Sequence, residues 1–116
     1  MAKTIIVVDD NEIIRAYTSY LLTEAGYIVV PTSNRRDAAK VLSGVIADAI
    51  ILEWGAESEI FLASTRELEP RPKLIVTSAK AMEDEASARG LPFLRKPFGP
   101  MELLGTIDNC LRAVSA

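Results

Sequence analysis

Three short runs dominated by β-branched and aliphatic residues constrain the fold of this chain more than any other feature. They are TIIVV at residues 4–8, AIIL at 49–52 and KLIVT at 73–77. Runs of this length without polar alternation are typical of strands that are buried on both faces of a sheet. After each run the apolar residues recur at helical spacing, so the pattern indicates strands that alternate with helices.

Two weaker segments, YIVVP at 27–31 and PFLR at 92–95, complete a set of five predicted strands. Gly26, Asn34 (or Ser33) and Pro100 are typical of helix ends and starts, and the helix near residues 82–89 is predicted to be short. Five strands and five helices joined by short connections predict an α/β fold, a doubly wound parallel sheet with helices on both faces. The 116 residues are expected to form a single domain, 1–116.

The apolar spacing also predicts which helical side chains face the sheet. The residues assigned to buried stripes are Ile13, Ile14, Tyr17, Leu21 and Leu22 in the first helix, Ile60, Phe61, Ser64 and Leu68 in the third, and Met101, Leu104, Ile107, Leu111 and Val114 in the last.

Composition excludes several kinds of site. The chain has no histidine, one cysteine (Cys110) and a net charge of -3. Ser-His or Cys-His catalysis and histidine zinc sites are therefore excluded, and Cys110 is expected to be a small buried residue. No apolar run approaches the ~20 residues that cross a bilayer, and no basic stripe suits nucleic acid. We expect a cytoplasmic domain that binds neither membrane nor nucleic acid.

The residues that follow the predicted strands carry the candidate chemistry. Asp9 and Asp10 follow the first strand, Glu53 the third, Ser78 the fourth and Lys96 the fifth. In an open parallel sheet the carboxyl ends of the strands border the binding crevice, so these side chains are expected to converge. Three carboxylates suit a hard cation such as Mg²⁺, and a metal, a hydroxyl and a lysine together suit a phosphoryl group.

Each of these residues also has an ordinary structural interpretation. Asp9 and Asp10 suit a polar turn that caps a helix, and Lys96 alone suits a solvated loop. Trp54 and Phe93 are expected to be packing residues. Only the joint placement at successive strand ends favours a site.

The motifs together resemble the receiver domain of bacterial two-component response regulators. They are Asp9-Asp10 after the first strand, an acidic residue after DAIIL, Ser78-Ala79 after the fourth strand and Lys96-Pro97-Phe98 after the fifth, with 43 positions from Asp10 to Glu53. The resemblance covers essentially the whole chain and implies a flavodoxin-like (βα)5 receiver fold with strand order 2-1-3-4-5. In active members a phosphoryl group passes, with Mg²⁺, from a phosphohistidine of a sensor kinase to an aspartate after the third strand.

The resemblance also implies residue roles. Asp9, Asp10 and Glu53 match the metal-binding acids, Ser78 and Lys96 match the residues that contact the phosphoryl group, and Phe93 matches the switch aromatic. The implied partners are a sensor histidine kinase, a phosphotransfer protein or an output domain, and a homodimer is a further candidate assembly.

The phosphoacceptor position departs from the family because Glu53 stands where active members have aspartate. The extra methylene of Glu53 moves its carboxylate into space that phosphoryl oxygens would fill, so efficient phosphorylation is not expected. The segment from Ser78 to Lys96 is also short, which predicts a trimmed fourth helix. We therefore interpret Glu53 as a built-in negative charge, paired with Lys96, in a pseudo-receiver that acts through protein contacts and is not an enzyme.

Three alternatives remain at this point. The first is a working receiver that binds Mg²⁺ and accepts phosphate. The second is a phosphohydrolase of the haloacid dehalogenase type, which needs an aspartate two positions after its first aspartate, where this chain has Asn11 or Glu12. The third is a flavodoxin-like nucleotide binder, which the acidic DDNE turn disfavours because it would repel phosphate.

Overall fold

A computed structural model describes residues 2–112 of the chain, in which five strands alternate with five helices. The strands are β1 (Thr4–Val8), β2 (Ile28–Thr32), β3 (Ala49–Glu53), β4 (Lys73–Ser78) and β5 (Phe93–Arg95). The helices are α1 (Glu12–Glu24), α2 (Arg35–Leu42), α3 (Ser58–Thr65), α4 (Glu83–Ala88) and α5 (Pro100–Arg112). The predicted alternation is confirmed, and α4 has only 6 residues, as the short intervening segment predicted.

The sheet has the order β2-β1-β3-β4-β5 and all of its pairs are parallel, which confirms the predicted doubly wound fold. In the register of the ladder, Val8 lies beside Leu52 and Glu53 lies beside Thr77. The carboxyl ends of the three central strands are thus level with one another. Residues that end or follow these strands therefore meet at one edge of the sheet.

Two hydrophobic cores lie on the two faces of the sheet, because successive side chains of a strand point to opposite faces. On β1, Ile5 and Val7 belong to one core, and Ile6 and Val8 belong to the other. The first core is completed mainly by α1 and α5, and the second by α2 and α3; the buried helical residues are Leu22, Leu103 and Ile107 in the first, and Ala38, Phe61 and Leu62 in the second. Continuous apolar strands are needed because both faces are covered.

The predicted helix faces are partly wrong. Ile13 is 79% exposed, and Ile60 and Met101 are also exposed. The side chains fully buried in their place include Thr18 in α1 and Leu103 in α5. Leu68 lies beyond the end of α3, and Val114 lies outside the described residues.

Polar side chains on the buried face of α3 explain the error in that helix. Its buried residues are Ser58, Phe61, Leu62 and Thr65, which follow helical spacing. The Thr65 hydroxyl donates a hydrogen bond of 2.8 Å to the Leu62 carbonyl, so this polar group is satisfied within the helix. The predicted face was correct at Phe61 and wrong at Ile60 and Ser64, which are exposed, because apolar spacing does not indicate that Ser58 and Thr65 are buried.

Replacement of Ile50 by alanine tests the central position of β3. Ile50 is fully buried in the second core, so Ile50→Ala should lower the free energy of unfolding by about 2–5 kcal/mol. The matched control is Ile46→Ala, because Ile46 is 68% exposed in the loop before β3. Urea unfolding of both variants gives the comparison, and equal losses would contradict the assignment of this core.

Candidate functional site

The acidic turn after β1 is held by three hydrogen bonds. Asp9 is buried, and its Oδ1 accepts a hydrogen bond of 2.9 Å from the backbone N–H of Asn11. Asn11 in turn caps α1 by accepting a hydrogen bond of 3.0 Å from the N–H of Ile14. Arg15 donates from Nη1 to the Asp9 carbonyl at 2.8 Å. Asn11 is thus the N-cap of α1. The second carboxylate oxygen of Asp9 does not take part in this turn and lies at the edge of the sheet.

Lys96 joins two of the strand ends through its ammonium group. Its Nζ lies 2.8 Å from Oδ2 of Asp9 and 2.6 Å from Oε2 of Glu53. The lysine side chain is only 8% exposed, whereas that of Glu53 is 31% exposed. The backbone N–H of Lys96 also donates to the Ser78 carbonyl at 2.8 Å, which anchors the residue beside β4. One buried cation therefore pairs with two carboxylates, one after β1 and one at the end of β3, and leaves one negative charge uncompensated among the three groups.

Asp10 adds a third carboxylate that has no such cation. Its backbone N–H donates to Oε1 of Glu53 at 3.4 Å, and its own side chain is exposed. A hydrogen bond with Glu53 and the negative charge of Glu53 raise the pKa of Asp10 above its ordinary value. Lys96 therefore partly offsets the charge of Asp9 and Glu53, whereas Asp10 lies against the like charge of Glu53.

The pKa values of Glu53 and Lys96 are shifted in opposite directions, as expected for an ion pair. Burial works to raise the pKa of Glu53, but hydrogen bonds with Lys96 and Asp10 outweigh it and lower that pKa. Burial likewise works to lower the pKa of Lys96, but hydrogen bonds to Asp9 and Glu53 outweigh it and raise that pKa. Both groups are therefore charged at neutral pH.

Ser78 and Phe93 lie farther from the ion pair. Ser78 is the last residue of β4, and its buried hydroxyl accepts a hydrogen bond of 3.1 Å from the N–H of Lys80. Phe93 begins β5 and lies opposite Val76 in the ladder. The structure thus brings Asp9, Asp10, Glu53 and Lys96 together and places Ser78 at the same edge, with Phe93 at the far end of β5.

The donor set fits a hard divalent cation. Asp9, Asp10 and Glu53 each offer a carboxylate oxygen, and these oxygens lie within 4.8 Å of one another. Mg²⁺ prefers such oxygen ligands, and a cation here would relieve the repulsion that raises the pKa of Asp10. The ammonium of Lys96 already pairs with Asp9 and Glu53, two of these three residues, so it would compete with a metal for them.

Trp54 makes a contact with Arg89 that the sequence does not predict. Trp54 directly follows Glu53 and packs against the second core, as predicted for a packing residue. The guanidinium of Arg89 lies 5.0 Å from the centroid of the Trp54 ring, and its Nε donates to Glu59 at 2.6 Å. These contacts connect the end of α4 to the loop after Glu53. No local pattern indicates them, because the residues are far apart in the sequence.

Comparison with known proteins shows similarity to transcriptional regulators. The chain is 33% identical over 122 residues to the phosphate regulon transcriptional regulatory protein PhoB of Pseudomonas aeruginosa, covering 97% of the chain and 53% of that protein. It is 29% identical over 124 residues to the protein of the same name from Klebsiella pneumoniae, covering 99% of the chain and 54% of that protein. The chain thus spans about half the length of these curated relatives. No protein-family model matches it.

Solved structures of response regulators have a fold similar to that of this chain. The chemotaxis response regulator CheY4 of Vibrio cholerae matches with a TM-score of 0.83 and 26% identity, over 96% of this chain and all of that one. A response regulator from Thermotoga maritima matches with a TM-score of 0.87 and 24% identity, over 97% of this chain and all of that one; this second likeness concerns the fold alone. Within residues 2–112, no helix is long and apolar enough to span a membrane.

Removal of the Asp10 charge should stabilise the fold at neutral pH. Because the folded-state pKa of Asp10 lies above its unfolded-state value, ionised Asp10 destabilises the fold once the pH exceeds about 4. Asp10→Asn should therefore raise the free energy of unfolding at pH 7, and the gain should shrink as the pH falls toward 4. Urea unfolding across this range measures it, with Glu67→Gln as a control on an exposed loop carboxylate. A loss of stability in Asp10→Asn at pH 7 would contradict the described repulsion.

Proposed function

This chain belongs to the CheY-like receiver family of response regulators, and we propose that it is a pseudo-receiver, a signalling module that works through protein contacts without being phosphorylated. The observation that carries the proposal is the 2.6 Å ion pair between Glu53, at the phosphoacceptor position, and Lys96. Glu53 supplies a permanent negative charge in the pocket, and Lys96 is the cation paired with it.

The partners of Lys96 support the proposal. In the role that the family implies, this ammonium contacts the oxygens of a phosphoryl group. Here it already has two anionic partners, Asp9 and Glu53, at hydrogen-bonding distance. A phosphoryl group would have to displace at least one of them, and separating a buried ion pair is costly. Glu53 therefore takes the place of the phosphoryl group as the anion that holds Lys96.

The length of the Glu53 side chain also disfavours phosphoryl transfer. Such transfer needs in-line placement of the attacking oxygen, and a misplacement of about 1 Å can cost about 100-fold in rate. In this proposal Asp9, Asp10 and Glu53 are the metal ligands, Ser78 and Lys96 flank the phosphoryl position, and Phe93 is the switch aromatic. Mg²⁺, when bound, supplies positive charge to the acidic cluster. Asp10 supplies the carboxylate on the solvent-exposed side of that cluster.

The proposed setting follows from the family. We take residues 1–116 as one receiver unit of the cytoplasm whose partner is a sensor histidine kinase, a phosphotransfer protein or an output domain, with a homodimer as a further assembly. The curated relatives described above are regulators about twice as long, and they lend no support to the phosphohydrolase alternative. Neither nucleic acid nor membrane is a proposed partner of this unit.

A working receiver is the second candidate function. The clustered carboxylates, the buried hydroxyl of Ser78 and the lysine favour it, because the pocket keeps every other residue type that phosphoryl transfer requires. The two candidates differ in whether the pocket accepts phosphate, either at Glu53 or aberrantly at Asp9 or Asp10.

Phosphorylation is tested by the intact mass of the chain after incubation with Mg²⁺ and acetyl phosphate. The parent should keep its mass, whereas Glu53→Asp should gain about 80 Da, the mass of one phosphoryl group. Glu53→Asn is the matched control, because it removes the acceptor carboxylate and should stay unmodified.

The outcomes separate the candidates. Uptake by the parent would reject the pseudo-receiver in favour of the working receiver. If Glu53→Asn gains mass as well, the acceptor is another carboxylate, such as Asp10. The mass gain of Glu53→Asp is then no evidence that position 53 accepts the phosphoryl group. If no variant gains mass, features of the pocket other than Glu53 also prevent phosphorylation. The pseudo-receiver proposal then stands, but aspartate at position 53 does not restore phosphate uptake.

A further inference from the structure

A second concave site lies at the edge of the sheet opposite the acidic cluster. It is a cavity of about 330 Å³ between the first residues of β4, the loop before β5 and the last turns of α3 and α5. Its apolar lining includes Leu62, Leu74, Leu91 and Pro92, and the half-buried Cys110 borders it from α5. The site is separated from Glu53 by the length of β4.

Three cations line this cavity, Arg66, Arg71 and Lys73. Among residues 2–112, no carboxylate lies within 4.0 Å of the charged atoms of these three side chains. The cavity thus combines an apolar lining with positive charges that lack an ion-pair partner in the described part of the chain.

Helix ends account for only one of the three charges. Helix C-termini attract cations, and Arg66 is the C-cap of α3, so its position suits that helix end. Arg71 lies in the loop before β4, and Lys73 is the first residue of β4. Neither belongs to a helix terminus, so the dipole of α3 does not explain them. Both are available to pair with a ligand that carries a negative charge.

We propose that this cavity binds a small organic anion that has an apolar body and one acidic group. The apolar body would contact the leucine lining, and the acidic group would lie at the rim with Arg71 and Lys73. The volume is at the lower end of the range of about 300–1,000 Å³ that holds small ligands in proteins, which favours a small molecule over a helix of a partner. The proposal does not depend on whether Glu53 accepts phosphate.

The probe that tests the proposal is 8-anilinonaphthalene-1-sulfonate, an apolar fluorophore with one anionic group. Titration of the full chain should give saturable binding to one site. The variant Arg71→Ser/Lys73→Gln should bind it about tenfold more weakly, since two partly exposed charge contacts are lost. Arg36→Ser, at an exposed arginine of α2, is the matched control and should bind like the parent. N-phenyl-1-naphthylamine, which lacks the sulfonate, should not distinguish the variants.

Cys110 provides an independent test of location, because it is the only cysteine in the chain and it lines this cavity. Saturating 8-anilinonaphthalene-1-sulfonate should slow the alkylation of Cys110 by iodoacetamide severalfold, as followed by intact mass. The proposal is overturned if binding is not saturable, if Arg71→Ser/Lys73→Gln binds like the parent, or if the alkylation rate does not change.

Discussion

The site depends on one buried cation, the ammonium of Lys96, held between carboxylates from two other strands. A charge that is removed from water is stable only where opposite charges and hydrogen bonds replace its hydration. Asp9 and Glu53 supply those partners, and each is delivered by the end of a neighbouring strand. The parallel sheet and the ion triad therefore require each other: the register of the strands sets the spacing of the charges, and the charges fix the loop after β5.

The same interaction explains why a glutamate is compatible with this position. Its longer side chain reaches the lysine and pairs with it directly, while its backbone keeps its place beside Thr77 in the ladder. The acidic cluster is consequently asymmetric, because Asp9 and Glu53 pair with Lys96 whereas Asp10 lies against a like charge. A pocket of this kind is held by its own ion pairs on one side and presents carboxylate oxygens that suit a cation on the other.

The sequence predicted the strands more closely than the helix faces. Strands buried on both faces must be apolar throughout, so the runs TIIVV and AIIL can be recognised as strands from the sequence. The residues that follow these strands then indicate where the site lies. The pairing of Glu53 with Lys96 was predicted and is confirmed, whereas the sharing of Lys96 with Asp9 was not. A helix buries only one stripe and can bury satisfied hydroxyls, as Thr65 does in α3, so hydropathy misplaced Ile60. The stacking of Arg89 on Trp54 joins residues distant in sequence and could not be predicted from spacing.

A double-mutant cycle between Glu53 and Lys96 tests the central interaction most directly. The free energy of unfolding is measured by urea titration at pH 7 for the parent, Glu53→Gln, Lys96→Met and the double variant. The coupling energy should be at least about 1 kcal/mol, because the pair is close and largely shielded from water. A parallel cycle on Lys3 and Asp48, which are 3.9 Å apart and more exposed, should give a value near zero. If the effects at Glu53 and Lys96 add to within about 0.3–0.5 kcal/mol, the two residues are not coupled, and Glu53 is not the anion that holds Lys96.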